Sequence, residues 1–360
     1  MLIDGHIHFD SSADPKKILE ALELTEAASC ALETQIYTTK INQNIDNFYA
    51  KLICGDKVYI DGAMDAYLYY HHDKMNEMPE YLERMVNCGI DGIKMIEGKP
   101  TTRKEFDIPN FDDPLFDPTF AYLEKKKLNI TWHVNDPEEF WDDQLVPDWA
   151  RRSGWFYADG TFVNNMDQYH QIENLLNKHP NLSITFAHFY FLSDNLKELS
   201  RLFEKFPNIS VDLTPGIEMY TNMSKNIEEA KLFFNKYYDR IIYGTDINID
   251  KSELNELNRK DALTRKNLVH EFLTKDHFTL KGDPDGLLGS DDLTLNGLAL
   301  DKNKVEYIEY KNFLKRHPVN HPLNIDLILK EIEIHKNKLR ELNLDSAYLD
   351  KIKEEFLKHK

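Results

Sequence analysis

The chain begins Met1-Leu-Ile-Asp-Gly-His-Ile-His-Phe-Asp10. In this stretch a short apolar run leads into two histidines, His6 and His8, which flank a single isoleucine. Residues i and i+2 of a β-strand point to the same face, so a strand here would aim two imidazoles at one point. A metal ion requires such convergence, but an isolated His-x-His pair also arises by chance. The rest of the chain has to decide between the two.

The segments that follow alternate between apolar runs of strand length and stretches with helical spacing. Together with the first stretch they provide eight strand candidates, and this alternation predicts an α/β protein with a distorted (β/α)₈ barrel. A doubly wound open sheet is the alternative, although no Gly-x-Gly-x-x-Gly follows the first strand. The predicted later strands are residues 27–34, 57–64, 92–97, 128–134, 182–188, 209–213 and 240–246. The predicted helices between and after them are residues 15–24, 45–53, 79–87, 116–127, 167–179, 196–206, 226–238 and 251–274.

The chain beyond the eighth strand changes in character. Residues 282–292 are rich in Gly and Asp and predict turns, and residues 304–314 predict a helix. Two more amphipathic stretches follow a break at Pro318 to Pro322. We therefore predict a barrel over residues 1–320 and an appended helical hairpin over 321–360, which covers barrel surface or supports a homo-oligomer.

The composition narrows the classes of partner. Lys and Arg number 44 against 62 Asp and Glu, a formal net charge of −18, which argues against nucleic acid and anionic membranes as partners. The chain has three cysteines without a Cys-x-x-Cys spacing, and it shows neither a signal-peptide pattern nor an apolar run of about 18 residues. We expect a cytoplasmic protein that acts on a small molecule.

Polar titratable residues lie at the predicted ends of four strands. His6 and His8 end the first strand, His133 the fifth, His188 the sixth and Asp246 the eighth. In a (β/α)₈ barrel these ends meet at the catalytic face. Imidazole nitrogens and a carboxylate oxygen suit a divalent ion such as Zn²⁺, with Mn²⁺ as an alternative, and a bound ion lowers the pKa of water toward about 7.

Four short motifs carry a resemblance to a known family. They are Asp4-Gly-His-Ile-His8, Trp132-His-Val134, Ala187-His-Phe189 and Tyr243-Gly-Thr-Asp246. In order and spacing they resemble the amidohydrolase superfamily, and more closely the branch that contains aminocarboxymuconate-semialdehyde decarboxylase and related metal-dependent hydrolases. Residues 89–95 resemble the fourth-strand segment of that branch, and residues 296–313 resemble its closing helix.

The resemblance implies a ligand set and roles. His6, His8, His133 and Asp246 would bind one divalent metal, Asp246 would also act as general base, and His188 would orient water or substrate, or bind a second metal where one exists. In members with two metals, a lysine late in the fourth strand is carboxylated and bridges the ions. Lys94 is the candidate for that lysine, and Glu97 lies nearer the predicted strand end. We favour one metal.

Two reactions suit such a site. The first is hydrolysis of an amide, lactone or ester by metal-activated water. The second is non-oxidative decarboxylation of an unsaturated or aromatic acid, which usually needs an arginine for the carboxylate. A barrel that only binds metal or ligand is the third hypothesis, from a different class.

Several other residues invite a role. Arg103, Arg151 and Arg152 could hold a carboxylate, although we favour their interpretation as exposed surface arginines. Asp4 is predicted to accept a hydrogen bond from a ligating histidine or nearby backbone. The aromatic insertion over residues 135–165 either walls a pocket or packs on the barrel. Its aromatic residues are Trp141, Trp149, Trp155, Phe156 and Tyr157.

Overall fold

The first strand, Ile3–Phe9, lies inside a parallel sheet in a computed structural model that describes residues 1–251 and 259–360 in full and residues 256–258 by their backbone alone. The strands are β1 (Ile3–Phe9), β2 (Ser29–Glu33), β3 (Ile36–Tyr37), β4 (Ile41–Asn42), β5 (Val58–Ala63), β6 (Gly92–Gly98), β7 (Asn129–Val134), β8 (Ser183–Phe186), β9 (Ile209–Asp212), β10 (Ile241–Ile242), β11 (Ile247–Ile249), β12 (His277–Leu280) and β13 (Leu293–Asn296).

Helices separate most of the barrel strands. The α-helices are α1 (Lys16–Thr25), α2 (Asn44–Cys54), α3 (Ala66–Tyr69), α4 (Met78–Cys88), α5 (Pro100–Glu105), α6 (Asp117–Lys126), α7 (Asp148–Arg152), α8 (Asn165–Lys178), α9 (Leu196–Lys205), α10 (Ile217–Lys225), α11 (Ile227–Tyr237), α12 (Glu256–Thr274), α13 (Lys302–Glu306), α14 (Asn312–Arg316), α15 (Ile325–Glu341) and α16 (Tyr348–Lys358). A π-helical segment, Tyr307–Lys311, joins α13 to α14.

The main sheet has the order β10-β9-β8-β7-β6-β5-β2-β1-β11, and all its pairs are parallel. The two outermost strands, β10 and β11, are separated in the chain only by residues 243–246, so they form two halves of one interrupted eighth strand. Its middle stays bonded to β1, since the Gly5 amide donates to the Tyr243 carbonyl (2.9 Å) and the Asp246 amide donates to the His6 carbonyl (2.9 Å). The sheet therefore closes into a barrel.

The predicted α/β class and distorted (β/α)₈ barrel are confirmed, and the reason lies in strand burial. Every residue of β7 is buried, as expected for parallel strands covered on both faces. The apolar runs reveal such strands, whereas their ends depend on local backbone geometry. β8 stops at Phe186, and a turn with left-handed backbone over residues 188–191 follows it.

Other differences lie outside the barrel strands. α10 was not predicted, and β12 and β13 form an antiparallel hairpin around the segment predicted as turns. The predicted helix 251–274 is described from Glu256 onward, and its residues 252–255 lie outside the described part of the chain. Among the described residues, none of the helices combines the length and hydropathy needed to cross a bilayer.

The two C-terminal helices, α15 and α16, occupy the outside of the barrel. α15 packs against α4 and α2, and α16 packs against α2 and α15. Their buried residues keep the predicted helical spacing, which confirms the two helices. The division of the chain at residue 320 stays a proposal.

The buried His335 on α15 is expected to make the folded protein less stable in acid. Burial lowers its pKa from 6.5 to about 4, although the nearby Asp65 carboxylate favours the protonated ring. Between pH 6.5 and pH 4 the unfolded chain therefore binds a proton at His335 more readily than the folded chain does. The contribution of His335 to the free energy of unfolding is fully present above about pH 6.5 and is lost as the pH falls toward 4. The expected loss from this residue is about 3 kcal/mol, measured by urea unfolding at pH 7 and pH 4.

The matched control is His335→Gln, which keeps a polar side chain but does not titrate. Every other group contributes equally in both proteins, so the difference between the two pH profiles isolates His335. Parallel profiles would show that the buried imidazole does not govern acid stability.

Candidate functional site

The two histidines of β1 and Asp246 converge at the carboxyl ends of the barrel strands. The ligand atoms of His6, His8 and Asp246 all lie within 4.8 Å of one another. His8 Nε2 is 3.1 Å and His6 Nε2 is 3.9 Å from Asp246 Oδ1. Asp246 adopts a left-handed backbone (φ 60°) at the interruption of the eighth strand, which turns its carboxylate into the group.

Both histidines are oriented by their second ring nitrogen. His6 Nδ1 lies 2.8 Å from Asp212 Oδ2, and His8 Nδ1 lies 2.7 Å from the Glu33 carbonyl oxygen. A carbonyl and an ionised carboxylate only accept hydrogen bonds, so each Nδ1 donates and each neutral Nε2 keeps its lone pair. This outer support is typical of metal-binding histidines, and the three donor groups fit a divalent ion.

The charges agree with that protonation. Burial and the Lys94 ammonium lower the pKa of His6 to about 4, against the attraction of Asp212. Burial alone would raise the pKa of Asp246, but the proximity of His8 and of the other two histidines holds it well below its usual range. The centre therefore combines a neutral His6 imidazole with an ionised carboxylate at neutral pH.

His188 borders the same centre from the turn after β8. Its backbone amide donates to Asp212 Oδ1 (2.8 Å), and its Nδ1 donates to the Thr214 carbonyl (3.2 Å). The His6 and His188 ring centroids are 6.0 Å apart. Asp212 thus holds the His6 ring and the His188 backbone at once.

His133 lies beside His188 but outside the three-residue group found among the described residues. The two ring centroids are 4.8 Å apart, yet His133 Nε2 faces Asp136 Oδ1 at 3.2 Å. Asp136 also accepts from Lys99 Nζ (3.0 Å) and from the Tyr157 hydroxyl (2.6 Å). The structure therefore brings His133 to the centre while its Nε2 is engaged elsewhere.

The structure separates the two candidates on β6. Lys94 Nζ donates to His6 Nε2 at 2.9 Å and lies 3.7 Å from Glu33 Oε2. Glu97 is fully buried, and its carboxylate accepts from the Tyr69 hydroxyl (2.9 Å), away from the centre. Lys94 is therefore the β6 residue that reaches the predicted ligands.

Asp4 accepts from the Thr245 hydroxyl (2.6 Å) and backbone amide (3.0 Å), and from the His6 amide (3.3 Å). It thus joins β1 to the eighth strand behind the ligands. Burial raises its pKa to about 7. Its contacts are to backbone and to a hydroxyl, which matches the predicted supporting role.

The predicted arginines lie outside the cleft that contains the centre. Arg103 is buried against Phe111 and donates to Gln168 (3.0 Å), while Arg151 pairs with Asp143 at the surface and Arg152 is exposed. The cleft, of about 880 Å³, is instead lined by three other cations, of which the sequence suggested only Lys94. These are Lys94, Lys99 and Arg265.

The insertion both packs on itself and walls the cleft. Trp149 and Trp155 line the cleft, whereas Trp141, Phe156 and Tyr157 belong to a separate apolar cluster within the insertion, which Trp155 also joins. Lys99 Nζ lies 4.2 Å from the Trp155 ring centroid, which ties the insertion to the segment after β6. The first interpretation, a wall of the cleft, therefore applies to Trp149 and Trp155, whereas the other three aromatic residues pack within the insertion.

Two supporting residues were missed although the rule that found the histidines also covers them. Glu33 ends β2 and Asp212 ends β9, so each is a titratable residue at a strand end. Glu33 is buried, and neither of its carboxylate oxygens has a hydrogen-bond partner within the described residues; burial and Asp61 raise its pKa well above its usual range. Arg265 comes from α12, where no sequence signal marks it.

Asp212→Asn is expected to lower the affinity for Zn²⁺ by about 10- to 100-fold. An amide can donate to His6 Nδ1, which would move the ring proton to Nε2 and block the ligating lone pair. Metal affinity is measured by competition with a chromophoric chelator. Asp239→Asn, an exposed aspartate near the opposite strand ends, is the control, and equal affinities in the two variants would contradict this role of Asp212.

This geometry defines a class of protein, the (β/α)₈ barrels whose catalytic residues gather at the carboxyl ends of the strands. A family model described as amidohydrolase matches residues 72–265, more than half of the chain, and the chain belongs to amidohydrolase family 2. The resemblance predicted from the four motifs is thereby confirmed.

Solved structures extend the likeness of fold beyond residues 72–265. A candidate amidohydrolase from Staphylococcus aureus has a TM-score of 0.56 at 12% identity, covering 88% of this chain and 99% of that one. A 2,6-dihydroxybenzoate decarboxylase from Rhizobium has a TM-score of 0.52 at 12% identity, covering 88% and 99%. An uncharacterized TIM-barrel protein from Bordetella bronchiseptica has a TM-score of 0.52 at 13% identity, covering 83% and 80%. No curated protein shows significant sequence similarity to this chain.

Proposed function

We propose that this protein is a metal-dependent hydrolase of an amide, lactone or ester bond in a small molecule. The observation that carries the proposal is the convergence of His6, His8 and Asp246 with both histidines oriented through Nδ1. An arrangement that only stabilised the barrel would not need two imidazole lone pairs and a carboxylate directed at one point.

We propose one divalent ion per chain, held by His6, His8 and Asp246, with His133 as the fourth ligand once its ring turns from Asp136. Two imidazoles and a carboxylate suit Zn²⁺, and Mn²⁺ is the alternative. When bound, such an ion lowers the pKa of water toward about 7. A second ion would require carboxylated Lys94, whereas here the Lys94 amine contacts His6 directly.

The side chains of the centre have distinct parts in the proposed reaction. Asp246 is ionised, so it can accept the proton of the attacking water as general base. His188 keeps a free Nε2 lone pair, because its Nδ1 donates to a carbonyl, and it can hold the water or the substrate carbonyl in place. The volume of the cleft and its Trp149 and Trp155 wall suit a small organic molecule.

Metal removal tests the proposal. Dialysis against a chelator should abolish hydrolysis across a panel of amides, lactones and esters, and one equivalent of Zn²⁺ or Mn²⁺ should restore it. Reaction in ¹⁸O-labelled water should place one labelled oxygen in the product. An active protein that contains no stoichiometric metal would overturn the proposal.

Decarboxylation of an unsaturated or aromatic acid is the second candidate. The observation that favours it is the presence of Lys99 and Arg265 in the cleft, where a substrate carboxylate could bind; the Rhizobium structure of similar fold is a decarboxylase. Release of CO₂ without incorporation of labelled water would decide for this reaction and against hydrolysis.

We also propose a cytoplasmic location. The three cysteines Cys30, Cys54 and Cys88 are free and buried, which fits a reducing compartment.

A further inference from the structure

A second cleft, of about 840 Å³, lies on the face of the barrel opposite the proposed metal centre. Its walls include Ser183, Asn208 and Arg240, which are at or immediately before the starts of β8, β9 and β10. The predicted ligands lie at the other ends of the barrel strands. Strands of four to six residues separate the two faces by roughly 13–20 Å, and the packed interior of the barrel lies between them, so one small molecule cannot reach both.

The opposite cleft is strongly cationic in an acidic protein. Five cations line it, against two carboxylates, Glu124 and Asp239, although the whole chain has a net charge of −18. In the part of the chain that the structure describes, none of the five cations forms an ion pair within 4.0 Å. The five are Lys125, Lys127, Arg240, Lys315 and Arg316.

The two carboxylates do not neutralise this charge. Glu124 accepts from the Asn181 backbone amide (2.7 Å). Asp239 is exposed, and its charge favours the charged forms of Arg240 and Arg316 only from a distance. A cleft with an excess of three positive charges attracts anions, and the low-dielectric walls strengthen that attraction.

The two arginines have different parts. Arg240 uses Nε, Nη1 and Nη2 on the backbone carbonyls of Phe203, Phe206 and Ile209, so it supplies charge but few donors. Arg316 bonds through Nη1 to Ser183 (2.7 Å) and the Asn208 carbonyl (2.9 Å). Its hydrogen bonds within the described residues leave the Nε–Nη2 edge of the guanidinium for a ligand.

Arg240 and Arg316 repel each other, which destabilises the folded protein when no anion is bound between them. Burial, followed by the charge of Arg240, lowers the pKa of Arg316 to about 9. Like charges held together at low dielectric repel unless a counter-charge is present. A bound anion would relieve this repulsion.

We propose that this cleft, which we call the basal cleft, binds a small molecule that carries at least two phosphoryl groups. The Arg316 guanidinium has the planar fork that pairs with phosphate, and Lys125, Lys127 and Lys315 offer point charges from two helix ends. Because these cations come from α6 and its following residue on one side and α14 on the other, a ligand with two phosphoryl groups can present one group to each side. The ligand is not the substrate of the metal centre, since the two sites lie at opposite ends of the strands.

The lysines of the basal cleft could also have a purely structural role at the ends of helices. Cations are favoured at helix C-termini, and Lys125 and Lys315 lie in the last turns of α6 and α14. A purely structural role of these lysines predicts altered stability on charge reversal without any effect on a ligand. The experiment therefore measures binding itself, on which a purely structural role would have no effect.

Binding of inorganic pyrophosphate and of a sugar bisphosphate to the full chain is measured by calorimetry. We expect one equivalent per chain for at least one of the two probes, weakening with added salt. The double variant Lys127→Glu/Lys315→Glu should weaken binding at least tenfold. Pyrophosphate binding would assign the site to phosphoryl groups alone, and binding of the sugar bisphosphate only would show that the organic part contributes.

Two controls test whether the probe binds in the basal cleft. Lys197→Glu/Lys225→Glu makes the same charge change at two exposed lysines outside the cleft and should leave binding unchanged. His8→Ala should also leave it unchanged, because it alters only the metal centre. Absence of saturable binding, or binding lost in His8→Ala but retained in Lys127→Glu/Lys315→Glu, would overturn the proposal.

Discussion

Asp246→Asn should remove stoichiometric metal and lower turnover by at least about 10³-fold. Asp246 is the one carboxylate in the three-residue group found among the described residues, and the amide that replaces it carries no charge and accepts no proton. A neutral amide is a poor ligand for Zn²⁺ beside two imidazoles, and general-base catalysis contributes about 10²–10⁴-fold by itself. Metal content by elemental analysis and kcat on the best substrate of the panel are the measurements.

Asp143→Asn is the matched control for Asp246→Asn. Asp143 is exposed on the insertion and pairs with Arg151 there, so the same loss of charge should leave metal content and turnover unchanged. Retention of full metal and activity in Asp246→Asn would remove Asp246 from the site. Retained metal with lost turnover would restrict Asp246 to proton transfer.

Gly98→Ala should destabilise the protein by about 3 kcal/mol or more. A Cβ at residue 98 would lie 2.3 Å from the His133 carbonyl oxygen and 2.7 Å from Val134 Cα. Both atoms belong to the backbone of β7, so no side chain can rotate away, and the paired strands would have to separate. The register between β6 and β7 already shifts between Met95 and Gly98. Urea unfolding monitored by tryptophan fluorescence measures the loss.

Gly160→Ala is the control for Gly98→Ala. Gly160 has a left-handed backbone (φ 77°) but no heavy atom within 4 Å of a built Cβ, so its replacement should cost about 1 kcal/mol from backbone strain alone. A Gly98 variant no less stable than the Gly160 variant would show that β6 and β7 do not approach so closely. The difference between the two variants measures the steric part of the effect.

The strands of the barrel were predictable because parallel strands covered on both faces are read directly as apolar runs. The residues at which these strands end were harder to predict. The eighth strand is interrupted between Ile242 and Ile247, and the left-handed backbone at Asp246 breaks the regular pairing there. Neither the interruption nor the left-handed residue can be recognised in the sequence Ile-Ile-Tyr-Gly-Thr-Asp, which predicts one continuous strand.

The candidate site was predictable to the extent that strand ends are. That rule brought His6, His8 and Asp246 together and placed His188 beside them. It could not tell that His133 Nε2 would face Asp136, since Asp136 is itself positioned by Lys99 and by Tyr157 of the insertion. The ligand set beyond the three-residue group therefore stays a proposal.

The sequence by itself determined the barrel class and the face on which the histidines meet, because strand alternation and the i, i+2 spacing are local properties. Its four short motifs also carried the resemblance to the amidohydrolase family. Only the tertiary structure decided which outer groups orient those histidines. Glu33, Lys94 and Asp212 come from three other strands, and their meeting depends on closure of the sheet. The opening stretch, residues 1–10, thus encodes the two histidines that we propose as ligands, while the rest of the barrel determines which ring nitrogen of each is available to a metal.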